Sequence, residues 1–242
     1  MSCADCTNVT LKVPIKNNVS VIIGAYNRVG SLSAILRALR DQKLVGSIEI
    51  IVADAGSEPP VLQQIHGYDF VDVSLHWKAD GKYHRVRSFN EGVRIAKHDI
   101  VLLLDDDVIP ASEYWVHSAL AAFNASPELS IVRMPLLLDS HLQLKSDLSD
   151  IDKHLHHMQL SAFDYNFVQF TTANLAIYKS RWNEIGGLKS RFDGKYGFED
   201  LDFHKAAKER GLHYGVSNRH GCAVHVGTFF RKRNISVNFN AN

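Results

Sequence analysis

Apolar and polar positions change rhythm several times along this chain, and the changes mark its elements. Residues 19–25, Val-Ser-Val-Ile-Ile-Gly-Ala, form a β-branched run that predicts a buried strand. Leu32, Ile35, Leu36 and Leu39 then recur at helical spacing, with Ser31 as the candidate N-cap. Residues 48–53 predict a second strand, ending at Asp54-Ala55-Gly56-Ser57, and residues 71–75 a third. A helix over 86–97 and a strand over 100–104 follow. Strand–helix alternation of this kind implies parallel pairing with helices on both faces. The expected fold class is α/β, with a Rossmann-like, mostly parallel sheet.

Beyond residue 108 the pattern is less regular. Residues 131–138 predict one strand, 147–160 a polar helix carrying His154, His156 and His157, and 173–178 another strand. A short helix over 180–186 stops at Gly186-Gly187. Residues 188–198 form a Gly-rich, aromatic loop, and 199–210 a helix ended by Gly211. Residues 213–216 and 222–226 predict short strands. A nucleotide-binding half over about 15–108, an acceptor-binding half over about 109–228 and a frayed tail over 229–242 are expected within one compact domain.

Composition narrows the function classes. The chain has 242 residues, 45% of them hydrophobic and 22% charged, which suits a globular protein with a real core. Its net charge of +1 offers no general attraction to nucleic acid or to a membrane surface. No apolar run approaches the roughly 20 residues of a membrane span. The expectation is a cytoplasmic protein, or the soluble catalytic domain of a longer one. Cys3 and Cys6 form a C-x-x-C with no second pair to complete a zinc site, and with Cys222 they read as reduced thiols. His154, His156 and His157 cannot share one helical face, so they predict no metal site.

The first chemical signal is Asp105-Asp106-Asp107, which follows directly on the apolar run Val101-Leu102-Leu103-Leu104. In an open parallel sheet, ligands bind beyond the carboxyl ends of the strands. Adjacent carboxylates repel one another unless a cation is present. Mg2+ or Mn2+, shared with substrate phosphates, is the hard cation such oxygens suit. Residues two apart on an extended segment point the same way, so Asp105 and Asp107 are expected to act together.

With this cluster the chain resembles the GT-A glycosyltransferases, particularly the large inverting family 2 group. The resemblance covers about residues 19–227. Val19-Ser20-Val21-Ile22-Ile23-Gly24-Ala25-Tyr26-Asn27-Arg28 resembles the family's opening VSVIIPTYNR, and Glu49-Ile50-Ile51-Val52-Ala53-Asp54-Ala55-Gly56-Ser57 its EIIVVDDGS. Phe89-Asn90-Glu91-Gly92 is similar to RN-x-G, Leu104 to Asp107 to the D-x-D element, and Thr172-Ala173-Asn174-Leu175-Ala176 to the G-x-N strand. Glu184-Ile185-Gly186-Gly187-Leu188 matches the GGF turn. Phe198-Glu199-Asp200-Leu201-Asp202 resembles the GED-x-(D/E) helix start of galactosyltransferases and N-acetylgalactosaminyltransferases. Gly24 replaces the usual Pro, which predicts a mobile loop after strand one. Ala55 replaces the second Asp of DDGS.

The resemblance implies transfer of a sugar from a nucleotide-sugar donor to an acceptor hydroxyl on a glycan or glycoconjugate. It implies that the end of strand one (Ala25, Tyr26, Arg28) and Asp54 hold the nucleobase side of the donor, and Asp54 accepting from a base N–H favours UDP. Lys82 and Arg87, flanking a helix start, are candidates for the diphosphate. Asn90, Asn174, Asp105 and Asp106 complete the expected donor site. Asp107, Asp105 and His225 are the implied metal ligands, and imidazole favours Mn2+ over Mg2+. Asp200 is the implied general base, with Glu199 second; partial desolvation is expected to raise its pKa. A retaining transferase of the N-acetylgalactosaminyltransferase kind and a non-catalytic nucleotide-sugar-binding module are the alternatives. The missing G-x-G-x-x-G disfavours an NAD enzyme.

Overall fold

The structure, a computed structural model, describes residues 18–138 and 171–226. Its frame is a seven-stranded sheet in the order β3-β2-β1-β4-β8-β6-β9. The strands β1 (Val19–Ala25), β2 (Ile48–Asp54), β3 (Val73–His76) and β4 (Ile100–Asp105) run parallel. The strand β8 (Asn174–Tyr178) enters antiparallel between β4 and β6 (Ile131–Arg133), and β9 (Tyr214–Val216) pairs in parallel with β6.

The continuous apolar runs reflect burial on both faces. In β1, Val19, Val21 and Ile23 join one core while Ile22 joins the other. Successive side chains leave opposite faces of a strand, so a strand covered on both sides shows no polar alternation. The first core is closed by α1 (Val29–Arg40) and α3 (Trp115–Ala125), through Leu32, Ile35, Leu36, Trp115 and Val116. The second is closed by α2 (Arg85–Ile95), α4 (Lys179–Ile185) and α5 (Glu199–Glu209), through Phe89, Val93, Trp182, Ile185 and Phe203.

Several expectations need correction. Ser31 is not an N-cap: α1 begins at Val29, no side chain caps it, and Ser31 is buried in its first turn. The expected strand over 131–138 is two strands, β6 and β7 (Leu136–Leu138). They part at Met134-Pro135, where Met134 N–H bonds to the Asn174 carbonyl and Pro135 has no N–H for a ladder. The strands β5 (Val108–Pro110) and β10 (Ala223–His225) form a second sheet with β7, in the order β5-β10-β7. Neither β5 nor α3 was predicted, because a three-residue strand and an Ala-rich helix buried at Trp115, Val116, Ala119 and Leu120 carry little periodic contrast. The expected helix over 147–160 with its three histidines, Cys3, Cys6 and the tail over 229–242 lie outside the described residues. Cys222 is buried. Among the described residues no helix is long and apolar enough to cross a membrane.

Candidate active site

The strand order reverses between β1 and β4, the crevice where open α/β sheets bind ligands. All three aspartates meet there, but they point to different partners. Asp106 accepts from the Tyr26 N–H at 2.6 Å and from Arg28 at 3.1 Å. Its own N–H bonds to the Gly24 carbonyl, which ties β1 to β4 beyond their last paired residues. Asp107 pairs with the same Arg28 guanidinium, and its carboxylate lies 3.4 Å from His225 Nε2. Asp105 accepts from Arg85 at 2.9 and 3.3 Å. The expectation that Asp105 and Asp107 act as a pair is therefore corrected. The chain turns after Asp105, so the two side chains are not on one extended segment.

Arg85 is the residue that sequence reasoning passed over. It opens α2, is 8% exposed, and lies 4.8 Å from the Phe89 ring centroid one turn on. It donates to Asp105, to Glu199 at 3.2 Å, to Asp200 at 3.1 Å and to Thr172 at 2.9 Å. One guanidinium thus joins the end of β4 to the start of α5. Its signal was a basic residue four positions before Phe89, where the resembling enzymes carry Arg beside Asn90. A helical i, i+4 step brings the Arg85 side chain over Phe89.

Asp200 and Glu199 arrive on the first turn of α5, whose start at Phe198 takes a left-handed φ of 71°. The Asp200 contacts fall on one oxygen: Oδ1 accepts from Thr172 N–H at 3.1 Å, Thr172 Oγ1 at 2.6 Å and Arg85. Burial acts to raise the Asp200 pKa, but Arg85 and the Thr172 bonds outweigh it and hold the carboxyl below its usual range. The expected upward shift is corrected on that ground. Glu199 Oε2 is buried and has no hydrogen-bond partner. Asp106 behaves oppositely: burial pushes it up to about 8 against the pull of Arg28. Tyr83 stacks on Tyr26 at 5.6 Å, and its buried hydroxyl has no partner in the described site.

Five expected donor-site residues have other work in this conformation. Asp54 is 2% exposed and accepts from the backbone N–H groups of Gly56, Ser57 and Val61, so it anchors its own loop. Asn90 exchanges two hydrogen bonds with the Leu188 backbone, at 2.8 and 3.0 Å, and locks the Gly186-Gly187 turn. A Cβ on Gly187 would stand 2.3 Å from Asn90 Oδ1, and its φ of 60° independently suits glycine. Asn174 is 2% exposed and bonds to Trp115 Nε1 at 3.1 Å and the Pro135 carbonyl at 2.9 Å. Arg87 is turned to a surface groove of about 420 Å³ with Leu75, His76, Trp77 and Glu91. Exposed Lys82 packs its stem beside Gly194. Ala25 and Tyr26 do sit at the crevice.

Gly24 is not a mobile loop residue. It is paired to both Ala53 and Asp105 inside β1, and its missing side chain makes room for Phe89 and Tyr83, 3.3 and 3.4 Å from where a Cβ would lie.

The donor set can be tested for a divalent cation. Asp107 and His225 are brought together because Val226 N–H bonds to the Asp107 carbonyl and β10 pairs with β5. His225 turns its Nε2 to the Asp107 carboxylate at 3.4 Å, while its Nδ1 is buried without a hydrogen-bond partner. These two residues fit a borderline cation such as Mn2+. Asp105 does not join them while it faces Arg85. Among the described residues no three His, Cys, Asp or Glu side chains are gathered as a ready cation cage.

A sheet with this order, carrying carboxylates, arginines and a histidine at its β1/β4 crevice, has the GT-A fold, the architecture of solved glycosyltransferases. Residues 20–135, a little under half of the chain, match the model of Glycosyl transferase family 2. The chain is similar to the chondroitin synthase of Pasteurella multocida (strain Pm70), 26% identical over 246 residues and 88% of this chain. It is 27% identical over 216 residues to the hyaluronan synthase of Pasteurella multocida, covering 76% of this chain. It spans only 25% and 22% of those two relatives. A mannosyltransferase from Pyrobaculum calidifontis, in complex with GDP-Man and Mn2+, shares the fold with a TM-score of 0.58 at 14% identity, over 88% of this chain and 58% of that one. A Drosophila β1,4-galactosyltransferase 7 bound to manganese, UDP-Gal and xylobiose superposes with a TM-score of 0.54 at 14% identity, over 91% and 75% of the two chains.

Proposed function

We propose that this chain transfers a sugar from a nucleoside-diphosphate sugar to a hydroxyl of a growing glycan, with inversion at the anomeric carbon and assistance from a divalent cation. The observation that carries the reading is the meeting of carboxylates from the two halves at one crevice, joined by Arg85. The half over 15–108 binds the donor in this scheme, and the half over 109–228 the acceptor. Synthases of two glycosaminoglycans among the relatives support a polysaccharide acceptor. A uridine nucleotide is the first donor to test and a guanosine nucleotide the second, following the ligands of the structural neighbours. Asp54 no longer argues for uridine.

Asp200 is the general base. Its Oδ1 is fixed by Thr172 and Arg85, which leaves Oδ2 to take the proton of the attacking hydroxyl. Held below the usual range, it is ionised at neutral pH and orients as much as it pulls. Glu199, beside it with one unpartnered oxygen, is placed to accept a hydrogen bond from the acceptor sugar. Asp107 and His225 would hold Mn2+ or Mg2+, which supplies positive charge against the diphosphate leaving group. Arg28 and the uncapped start of α1 add to the positive field there.

The test is a panel of UDP- and GDP-sugars with Mn2+, scored by thermal stabilisation and by release of the free nucleotide. One donor is expected to stabilise the protein and turn over, Asp200→Asn is expected to bind it without turnover, and EDTA to stop the reaction. Undiminished turnover in Asp200→Asn refutes the base, and full activity in EDTA refutes the cation.

A further inference from the structure

The arginine at the end of β1 lies where a cation is needed. Arg28 donates to Asp106 at 3.1 Å and pairs with Asp107, the same carboxylate that lies 3.4 Å from His225 Nε2. A carboxylate as well buried as Asp107, 6% exposed, is costly without a positive neighbour. Arg28 itself is only partly covered, its side chain 36% exposed. It has room to leave. It stands immediately before the first turn of α1, where no side chain caps the backbone N–H groups. A diphosphate drawn to that helix start would lie within the sweep of a guanidinium, whose flat fork suits phosphate oxygens.

We propose that Arg28 is a place-holder for the divalent cation: it neutralises Asp107 and hydrogen-bonds Asp106 while the site lacks metal, and when the cation binds Asp107 it is released to grip the donor's diphosphate. This rests on the reading of Asp107 and His225 as cation ligands. The consequence is ordered, mutually reinforcing binding. Metal must displace Arg28, and the freed guanidinium then favours the nucleotide. Because coupling between two ligands is reciprocal, the nucleotide tightens metal binding by the same factor.

The experiment compares wild type, Arg28→Met and Arg28→Lys in two titrations on the whole chain. Mn2+ binding alone is followed by the electron paramagnetic resonance signal of free Mn2+, and UDP (with GDP in parallel) is titrated by calorimetry at saturating Mn2+. Arg28→Met is expected to bind Mn2+ alone about two- to fivefold more tightly, the size of one partly exposed ion pair removed. It is expected to bind the nucleotide roughly ten- to a hundredfold more weakly, the size of a lost charge-assisted hydrogen bond. Arg28→Lys, which keeps the charge but not the fork, falls between, and serves if the methionine variant does not fold. Opposite signs in the two titrations are the signature, since a merely structural role weakens both. Unchanged or weaker Mn2+ binding in both variants, while wild type binds Mn2+, overturns the proposal and leaves the cation site standing. Failure of wild type to bind Mn2+ with either nucleotide overturns the cation site and this inference together.

Discussion

Replacing Arg85 by Met should remove the only group that binds Asp105, Glu199 and Asp200 at once among the described residues. The Arg85 side chain is 10% exposed and the three carboxylates 21%, 12% and 21%, so water cannot easily replace it. Breaking a buried ion pair by removing one partner costs about 3–5 kcal/mol, because the other charge stays behind. The cost should depend on pH in a defined direction. With Arg85 present, the Asp200 pKa is depressed in the folded state. Its contribution is therefore complete above the unfolded value of about 3.9 and is lost as pH falls through the depressed one. Without Arg85, the burial that already acts on Asp200 and keeps Asp105 raised has less to oppose it. Those carboxyls then titrate above their unfolded values, and the variant loses stability as pH rises. The difference between wild type and Arg85→Met should thus be only partial near pH 4, where the wild-type Asp200 contribution is already present, and grow to the full amount by pH 7 as the raised carboxyls of the variant ionise. Urea unfolding of both proteins in EDTA, at several pH values, measures it. A difference below about 1 kcal/mol at pH 7, or one of equal size at pH 5 and pH 7.5, refutes the reasoning.

Two further outcomes follow from single contacts. A Cβ on Gly92 would stand 2.4 Å from Ile22 Cγ2, so Gly92→Ala should overpack the α2–β1 contact at about 1–3 kcal/mol. That exceeds the helix propensity of up to about 1 kcal/mol that alanine adds, and a melting temperature that rises instead of falling refutes it. Burial lowers the His204 pKa to about 4, so its contribution is complete above its unfolded value of about 6.5 and is lost as pH falls toward 4. The shift corresponds to about 3 kcal/mol. His204→Phe should flatten the stability curve between pH 4 and 6.5, while losing the bond to Tyr214 at all pH values. An unchanged slope in that window counts against it.

The parallel core of the sheet was legible because β1, β2 and β4 are apolar over most of their length. Burial on both faces leaves that mark on composition, and the strands β1, β2 and β4 were found within a residue of their bounds. The acidic cluster was legible for the same reason: polar residues directly after an apolar strand stand at its end, whatever the rest of the chain does. What each acid faces was not legible. Asp105, Asp106 and Asp107 are consecutive, yet one pairs with α2, one with the end of β1 and one with β10. A turn of the backbone within two residues decides that, and no periodicity records it.

The same limit explains Asp54, Asn90 and Asn174. Residue type and order suggested ligands, but Asp54 is engaged by the backbone of its own loop, and Asn90 and Asn174 by groups distant in sequence. The amino-acid order by itself determined a parallel α/β sheet with carboxylates at its carboxyl edge, because burial and strand ends are local properties. Only the tertiary structure decided that Arg85, rather than Lys82 or Arg87, gathers those carboxylates. The pairing brings Glu199 and Asp200 to Arg85 across more than a hundred residues, and its energy depends on a desolvated geometry that exists only in the folded chain.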